Sequence, residues 1–352
     1  MSIWDNYPDN YRKSEIEQIS ASTNAGESIA IYGLSGSGKS NLLGYFCNRI
    51  LKPNQRLWID GNRLREKSSI GFIQLFLKQI LKDNSSLDFH DPYLALEEII
   101  SQKFINETNN LVIVIDRLDL LSGNEFYQFC GNLRALRDQY KYKVCYVIGT
   151  RKEFLLDNEL AELMIGNAFW LGPLSKEDAY WSIQTYAQRK KRAWSEVEIE
   201  LIYQQSCGYP SFLRAVCEAY FSGCPLTQEE LLKHPAIKLR LLEFNQEMPT
   251  LEMLKQSKLL EHPWLKKADD LQEQLTDKEN KLLQYFQANP MVVLEKELLI
   301  QTVWSEDRIY QNGVRDDSLA QLIRRLRKKI ERNPNQPQHI HTIPGRGYKF
   351  TP

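Results

Sequence analysis

The chain has 352 residues, enough for two or three domains each with its own core, and its 45 Lys and Arg balance 45 Asp and Glu. No apolar run is long enough to span a bilayer, and the opening Met1-Ser2-Ile3-Trp4-Asp5-Asn6-Tyr7-Pro8 lacks the basic-then-apolar layout of a signal peptide, so a cytoplasmic location without a membrane partner is expected. Cys47, Cys130, Cys145, Cys207, Cys217 and Cys224 lie scattered in apolar segments with no C-x-x-C pair and read as reduced, buried thiols; His339 and His341 have no third ligand nearby, so no metal centre is expected from them.

Taken in chain order, the first strong signal is the apolar run Ser28-Ile29-Ala30-Ile31-Tyr32, followed by Gly33-Leu34-Ser35-Gly36-Ser37-Gly38-Lys39-Ser40 and then a helical stretch from Asn41. The middle segment fits G-x-x-x-x-G-K-[ST] without a mismatch. Gly33, Gly36, Ser37 and Gly38 let the backbone fold so that its N–H groups face phosphate. Lys39 reaches the β/γ oxygens, the Ser40 hydroxyl can ligate Mg²⁺, and the helix opening at Ser40 and Asn41 adds its positive end. The expected cofactors are ATP or ADP with Mg²⁺.

Further β-rich runs follow at Arg56 to Asp60, Leu111 to Asp116, Val144 to Gly149 and Ala168 to Leu171, separated by helical-period segments such as Ile70 to Leu81 and Tyr93 to Asn106. Alternating strands and helices predict a parallel sheet covered on both faces, with ligands at the carboxyl ends of its strands. Asp116 ends a run of apolar residues as a Walker B acid should, placing one carboxylate near the Mg²⁺ water shell. The position after it, where hydrolysing relatives carry a Glu to orient water, is Arg117, and Asp119 is the nearest substitute; hydrolysis is therefore expected to be slow, the work of a weak ATPase used as a switch.

Phe169-Trp170-Leu171-Gly172-Pro173-Leu174-Ser175-Lys176-Glu177-Asp178-Ala179, with Ser206-Cys207-Gly208-Tyr209-Pro210-Ser211-Phe212-Leu213-Arg214-Ala215-Val216 further on, resembles the helical-domain signatures of STAND-type signalling ATPases, a branch of the AAA+ relatives that includes the NB-ARC proteins. With the P-loop, Asp116 and Thr150-Arg151, the resemblance covers about residues 7 to 225. It implies an α/β P-loop NTPase fold of ASCE type with a helical lid. It also implies that Arg151 is the sensor of the γ-phosphate and that Pro210 packs near adenine, with Arg12, in Tyr11-Arg12-Lys13-Ser14-Glu15, lining the base pocket. Arg214, one helical turn beyond Pro210, either approaches the phosphates or is an exposed helix arginine. No match to the winged-helix His motif of NB-ARC proteins is found; His234-Pro235 and His262-Pro263 read as turns or caps. An arginine finger is unassigned, with Arg134 and Arg137 candidates by location alone.

The pattern divides the chain into an ATPase domain at 1–172, a helical lid at 173–226, a helical connector at 227–270 broken by Pro235, Pro249 and Pro263, and a C-terminal domain at 271–352. In the last, Thr276 caps a helix carrying Leu282, Leu283 and Phe286; a short strand at 291–294 and a second helix with Leu298, Leu299, Val303 and Trp304 follow. A third helix keeps Leu319, Leu322, Ile323, Leu326 and Ile330 for the core and leaves Ser318, Gln321, Arg324, Arg325 and Lys328 outside. His339 to Ile343 and Gly347 to Phe350 form a hairpin around Pro344-Gly345-Arg346. From Arg315 to Lys349 nine basic residues face three acidic ones, a local excess that a phosphate backbone would feel.

This arrangement, with Leu326-Arg327-Lys328-Lys329 and Thr342-Ile343-x-Gly345-x-Gly347-Tyr348-x-Phe350, is similar to the α+β OmpR/PhoB-type winged helix of bacterial transcription regulators. The resemblance implies double-stranded DNA as partner, with the third helix in the major groove. Gln321, Arg324 and Arg325, beside Ser318, become candidates for base edges; Lys328, Lys329 and Arg332 for phosphates; and Arg346 for the minor groove. Asp317-Ser318 departs from the family's usual Arg-Thr, and Pro344 from its usual basic residue, so the target sequence is not implied.

Three readings stay open. The favoured one is an ATP-controlled transcription regulator, its signal supplied by a protein partner or sensor. The second is an AAA+-like DNA-dependent ATPase of replication initiation, transposition or phage defence, forming a nucleotide- or DNA-dependent oligomer. The third is a scaffold whose winged helix binds protein.

Overall fold

A computed structural model describes residues 3–81, 90–105, 110–151, 153–154, 158–164, 166–245, 247, 249–265, 276–304, 316–331, 334–337 and 339–351. Chain contacts divide it into two units, Met1–Ile237 with Lys255–Lys258, and Lys238–Leu254 with Leu259–Pro352.

The first unit is built on a parallel sheet of β1 (Ile29–Tyr32), β2 (Arg56–Asp60), β3 (Leu111–Asp116), β4 (Val144–Thr150) and β5 (Ala168–Trp170), in the spatial order β2-β3-β4-β1-β5. Residues of β1, β3 and β4 are buried throughout, as expected of central strands rich in Ile and Val with both faces covered. This order places β4 between the P-loop strand β1 and the strand ending in Asp116, the ASCE arrangement. The faces are covered by α1 (Lys13–Asn24), α2 (Lys39–Tyr45), α3 (Ser69–Leu81), α4 (Pro92–Ile100), α5 (Gly123–Gln139) and the single turn α6 (Ala161–Met164). Phe72, Phe76 and Phe129 pack against Ile113, Ile115 and Ile148 in the core of one face.

After β5 the same unit carries three lid helices, α7 (Lys176–Arg189), α8 (Glu196–Ser206) and α9 (Pro210–Phe221). Each begins where its sequence says it should. Ser175 accepts from the Asp178 amide before α7, Ser195 and Glu198 form a reciprocal capping box before α8, and Pro210 opens α9 at a position that needs no amide hydrogen. Short helices α10 (Gln228–Lys233), α11 (Pro235–Asn245) and α12 (Leu251–Gln256) follow. His234 Nδ1 accepts from the Ala236 amide and His262 Nδ1 from that of Trp264, so both histidines cap turns.

In the second unit, α13 (Asp277–Ala288), α14 (Lys296–Val303) and α15 (Asp316–Ile330) pack with an antiparallel sheet of β6 (Val293–Glu295), β7 (Ile340–Ile343) and β8 (Gly347–Phe350), ordered β6-β8-β7. Leu282, Phe286, Leu299, Leu319, Leu322, Ile323, Leu326, Ile340 and Phe350 make its core. Gly347 cannot be replaced here: an added Cβ would stand 2.0 Å from the Leu294 carbonyl oxygen of the neighbouring strand.

Candidate functional site

The strand register brings the phosphate-site candidates to one edge of the sheet. Tyr32, the last residue of β1, is level with Thr150, and Asp116 is level with Gly149 on one side and Asp60 on the other. Gly33 to Lys39, Asp116 and Arg151 therefore leave the sheet at the same end. The Lys39 ammonium is buried in its own loop, donating to the carbonyls of Gly33 and Leu34. Ser40 and Asn41 are exposed on the first turn of α2.

Asp116 is buried and bonds to the Ser40 hydroxyl. Burial pushes its carboxyl above the usual carboxylate range, opposed by the Ser40 bond and the Lys39 charge and reinforced by Asp60. Its Oδ1 has no hydrogen-bond partner among the described residues. A buried oxygen without a donor, beside a hydroxyl and close to a second carboxylate, suits a hard cation such as Mg²⁺. Sequence reading missed Asp60. Its signal was available, an acid ending an apolar strand as Asp116 does, but only the pairing of β2 with β3 sets the two side by side.

Arg117 adopts a left-handed backbone with φ 63° immediately after Asp116, and its Nε lies 3.4 Å from Asp119 Oδ2. The same oxygen is 3.9 Å from Arg151 Nε. Asp119, expected as a stand-in for a water-orienting Glu, is thus the anion between two arginines. Neither finger candidate is unengaged: Arg134 pairs with Asp138 and Glu162, and Arg137 lies over the Tyr142 ring.

The lid meets the P-loop directly. The Tyr209 hydroxyl donates to the Ser35 carbonyl at 2.7 Å, the Ser211 amide to the Gly36 carbonyl at 3.1 Å, and Arg12 Nη2 to the Ser37 carbonyl at 3.1 Å. Three consecutive carbonyls of the loop are each held from outside it. Gly36, at φ 78°, permits this approach, since an added Cβ would stand 2.2 Å from Ser211 Oγ. Arg12 is itself clasped: Nη2 also donates to the Gly172 carbonyl at 3.0 Å, Nη1 pairs with Glu15 at 2.9 Å, and its backbone amide donates to Asp178 Oδ2 at 3.0 Å. Arg12 as a whole is 2% exposed. Pro210 sits against Gly38 of the same loop. The two positions expected beside the base, Arg12 and Pro210, are both at the P-loop itself. Arg214 is exposed and lies over the Tyr186 ring, 4.6 Å from its centroid, which favours the surface alternative over a phosphate contact.

In the second unit, Ser318, Gln321, Arg324, Arg325 and Lys328 are all exposed on α15, at spacings that align them along one face. Neither Arg324 nor Arg325 enters an ion pair among the described residues. Arg346 is exposed in the turn between β7 and β8, where its amide bonds back to the Ile343 carbonyl. Two members of the basic run are spoken for. Arg327 donates through Nε and Nη2 to the Ile340 carbonyl at 3.0 and 2.6 Å and to Thr342 Oγ1, tying the helix to the hairpin. Lys329, expected to grip phosphate, bonds at 2.6 Å to Glu279, whose side chain is 1% exposed. Burial pushes that carboxyl up, but the bonds from Lys329 and Thr276 outweigh it and hold it below its usual range. Within the domain Lys329 thus neutralises a buried acid. Arg332 lies outside the described residues.

Comparison with known proteins gives two family matches, in different parts of the chain. Residues 270–350 match the family model described as "Transcriptional regulatory protein, C terminal", and residues 16–121 match one described as "ABC transporter". Among curated proteins, the transcriptional regulatory protein YvrH of Bacillus subtilis is 42% identical over 71 residues, 20% of this chain and 28% of that protein. The uncharacterized transcriptional regulatory protein YcbL of the same organism is 40% identical over 77 residues, 22% and 32% of the two chains. The chain thus covers less than a third of either relative. Among solved structures, the Walker-type ATPase PABY2304 of Pyrococcus abyssi aligns over 96% of this chain and 92% of its own, at 15% identity and TM-score 0.47. The Aeropyrum pernix ORC2 protein aligns over 98% and 93%, at 13% identity and TM-score 0.47. The fold and the two family matches define the class: an ASCE-type P-loop ATPase domain with a helical lid, joined to a C-terminal winged-helix domain. That C-terminal domain is of the OmpR/PhoB transcriptional-regulator type. No helix among the described residues is long and apolar enough to cross a membrane.

Proposed function

We propose that this protein is a nucleotide-controlled, DNA-binding transcription regulator, a slow STAND-type switch in which ATP or ADP with Mg²⁺ at the P-loop changes how the winged helix engages duplex DNA. The observation that carries this reading is the outside grip on the carbonyls of Ser35, Gly36 and Ser37. In a planar trans peptide the N–H points opposite the C=O, so whatever fixes the carbonyl side of the loop also fixes the amide side offered to phosphate. Lid position and phosphate binding are then one equilibrium: nucleotide favours one arrangement of Tyr209, Ser211 and Arg12, and the lid passes it along the chain to the winged helix.

Ser40 and Asp116 would hold Mg²⁺, which would supply positive charge to offset that of the phosphates, and Asp60 would add a carboxylate nearby. Arg117, in place of a water-orienting carboxylate, leaves Asp119 shared between Arg117 and Arg151, which supports slow turnover and a long-lived ATP state. On DNA, Gln321, Arg324 and Arg325 read base edges while Lys328 and Arg346 contact the backbone and the minor groove.

The test is duplex affinity at fixed moderate salt, with ATP·Mg²⁺, ADP or no nucleotide, for the wild type and Lys39→Ala. The wild type is expected to differ about tenfold between nucleotide states, which requires about 1.4 kcal/mol of coupling, and the variant to show no difference. Tight binding indifferent to nucleotide refutes the switch. Assembly into large oligomers on any DNA would instead favour the DNA-dependent ATPase.

A further inference from the structure

The lid carries a cluster of cations that neither the nucleotide site nor the winged helix uses. Helix α7 ends in Arg189, and the chain turns through Lys190, Lys191 and Arg192, the turn closed by the Arg192 amide on the Ala187 carbonyl at 2.9 Å. All four side chains are exposed, as is Arg214 on α9. Two rings gather three of these five. Lys190 lies 5.1 Å from the Phe221 centroid and 5.9 Å from that of Tyr186; Arg192 lies 5.9 Å from Phe221, and Arg214 lies 4.6 Å from Tyr186 on the neighbouring helix.

None of the five enters an ion pair among the described residues. Other surface lysines of the same unit do: Lys176 with Glu200 at 2.8 Å and Lys233 with Glu229 at 2.7 Å. Glu218, the acid whose charge reaches Tyr186, is exposed and makes no bridge within 4 Å among the described residues. The end of α7 favours cations through its dipole, which accounts for Arg189 and Lys190. It does not account for Arg214, in the first half of α9, where the dipole opposes a positive charge. Like charges brought together repel one another, and a polyanion lying across them would offset that repulsion.

We propose that this lid surface, Arg189 to Arg192 with Arg214, is a second DNA contact that grips the phosphate backbone without reading sequence. It rests on the reading of the winged helix as a DNA binder, since that supplies the polyanion. Cations held over rings keep their hydrogen-bond donors available to phosphate, and every phosphate neutralised releases counterions, so the contact contributes affinity that falls with salt. The surface is also placed to follow the nucleotide. Ser211, the second residue of helix α9, holds the Gly36 carbonyl of the P-loop through its amide, and Arg214 lies one turn further on.

The experiment uses the full chain with Lys190→Gln, Lys191→Gln and Arg192→Gln combined, and measures affinity for a promoter fragment and an unrelated duplex over a salt series. The expected result is a slope of log affinity against log salt smaller by about 2 to 3, a loss of about tenfold or more at low salt on both duplexes, and an unchanged preference between them. An unaltered slope and affinity in the folded variant overturns the proposal. Arg324→Ala with Arg325→Ala, measured alongside, separates the two readings: if that pair leaves affinity and preference intact while the triple variant loses slope, the winged-helix reading fails and the lid contact stands. Wild-type protein without DNA affinity sinks both.

Discussion

Arg12 and Arg325 carry the same charge and show how differently the two units use it. Arg12 is 2% exposed; its guanidinium donates to Ser37, Gly172 and Glu15 and its backbone amide to Asp178, so it acts as a structural fork joining N-terminal segment, P-loop and lid. Arg325 is exposed on α15 with no ion pair among the described residues. The contrast teaches that a count of basic residues says little about function until each is assigned a partner. Lys329 and Lys328 repeat the lesson side by side in one helix.

The pair Lys328 and Lys329 gives the largest expected effect. Lys329→Ala leaves the buried carboxylate of Glu279 without its cation and should destabilise the winged-helix domain by about 2 kcal/mol, seen in urea denaturation. Lys328→Ala should leave stability within about 0.5 kcal/mol and lower the salt slope of DNA binding by about 1. Equal, small stability changes in both would erase the distinction drawn here between them.

Asp116→Asn sharpens the comparison from the other unit. The native carboxyl of Asp116 titrates above its unfolded value because of burial, so the native state holds the extra proton as pH rises past the ordinary carboxylate range. Stability from this group is therefore lost with rising pH through that window, and its ionised form is a cost at neutral pH. The variant should be more stable without nucleotide by on the order of 1 kcal/mol at pH 7, with no gain at pH 3, and should lose Mg²⁺-dependent nucleotide affinity. Thermal melts at the two pH values with nucleotide titrations check this; a variant destabilised at pH 7 contradicts it.

Tyr209→Phe is the smallest step. It removes the hydroxyl that holds the Ser35 carbonyl and leaves the ring in the lid core, so about 1 kcal/mol, or about fivefold in nucleotide affinity, is expected. A merely structural role would lower the melting temperature without nucleotide and leave the dissociation constant alone, and calorimetric titration tells the two apart.

Much of the fold was legible in the residues. Buried parallel strands are continuous apolar runs, and Ile29 to Tyr32, Leu111 to Asp116 and Val144 to Thr150 declare themselves because both faces of each are covered. The P-loop is readable for a related reason: its chemistry is made by neighbouring residues, so spacing alone specifies it. Helix α15 showed its two faces through period alone, and Leu319, Leu322, Ile323 and Leu326 are buried as that period requires. The placement of Arg12, Pro210 and Lys329 was less readable, and Asp60 was missed.

What the sequence by itself determined is whatever depends on near neighbours: the strand runs, the caps at Ser175 and Ser195, the phosphate loop, the amphipathic basic helix. Tertiary structure alone decided the pairings across distance. Tyr209 meets Ser35 across 174 positions, Arg12 meets Gly172 across 160, and Lys329 meets Glu279 across 50. No periodicity encodes such contacts, because each follows from how whole helices pack on a sheet or on one another, and the partner of a buried charge is set by that packing.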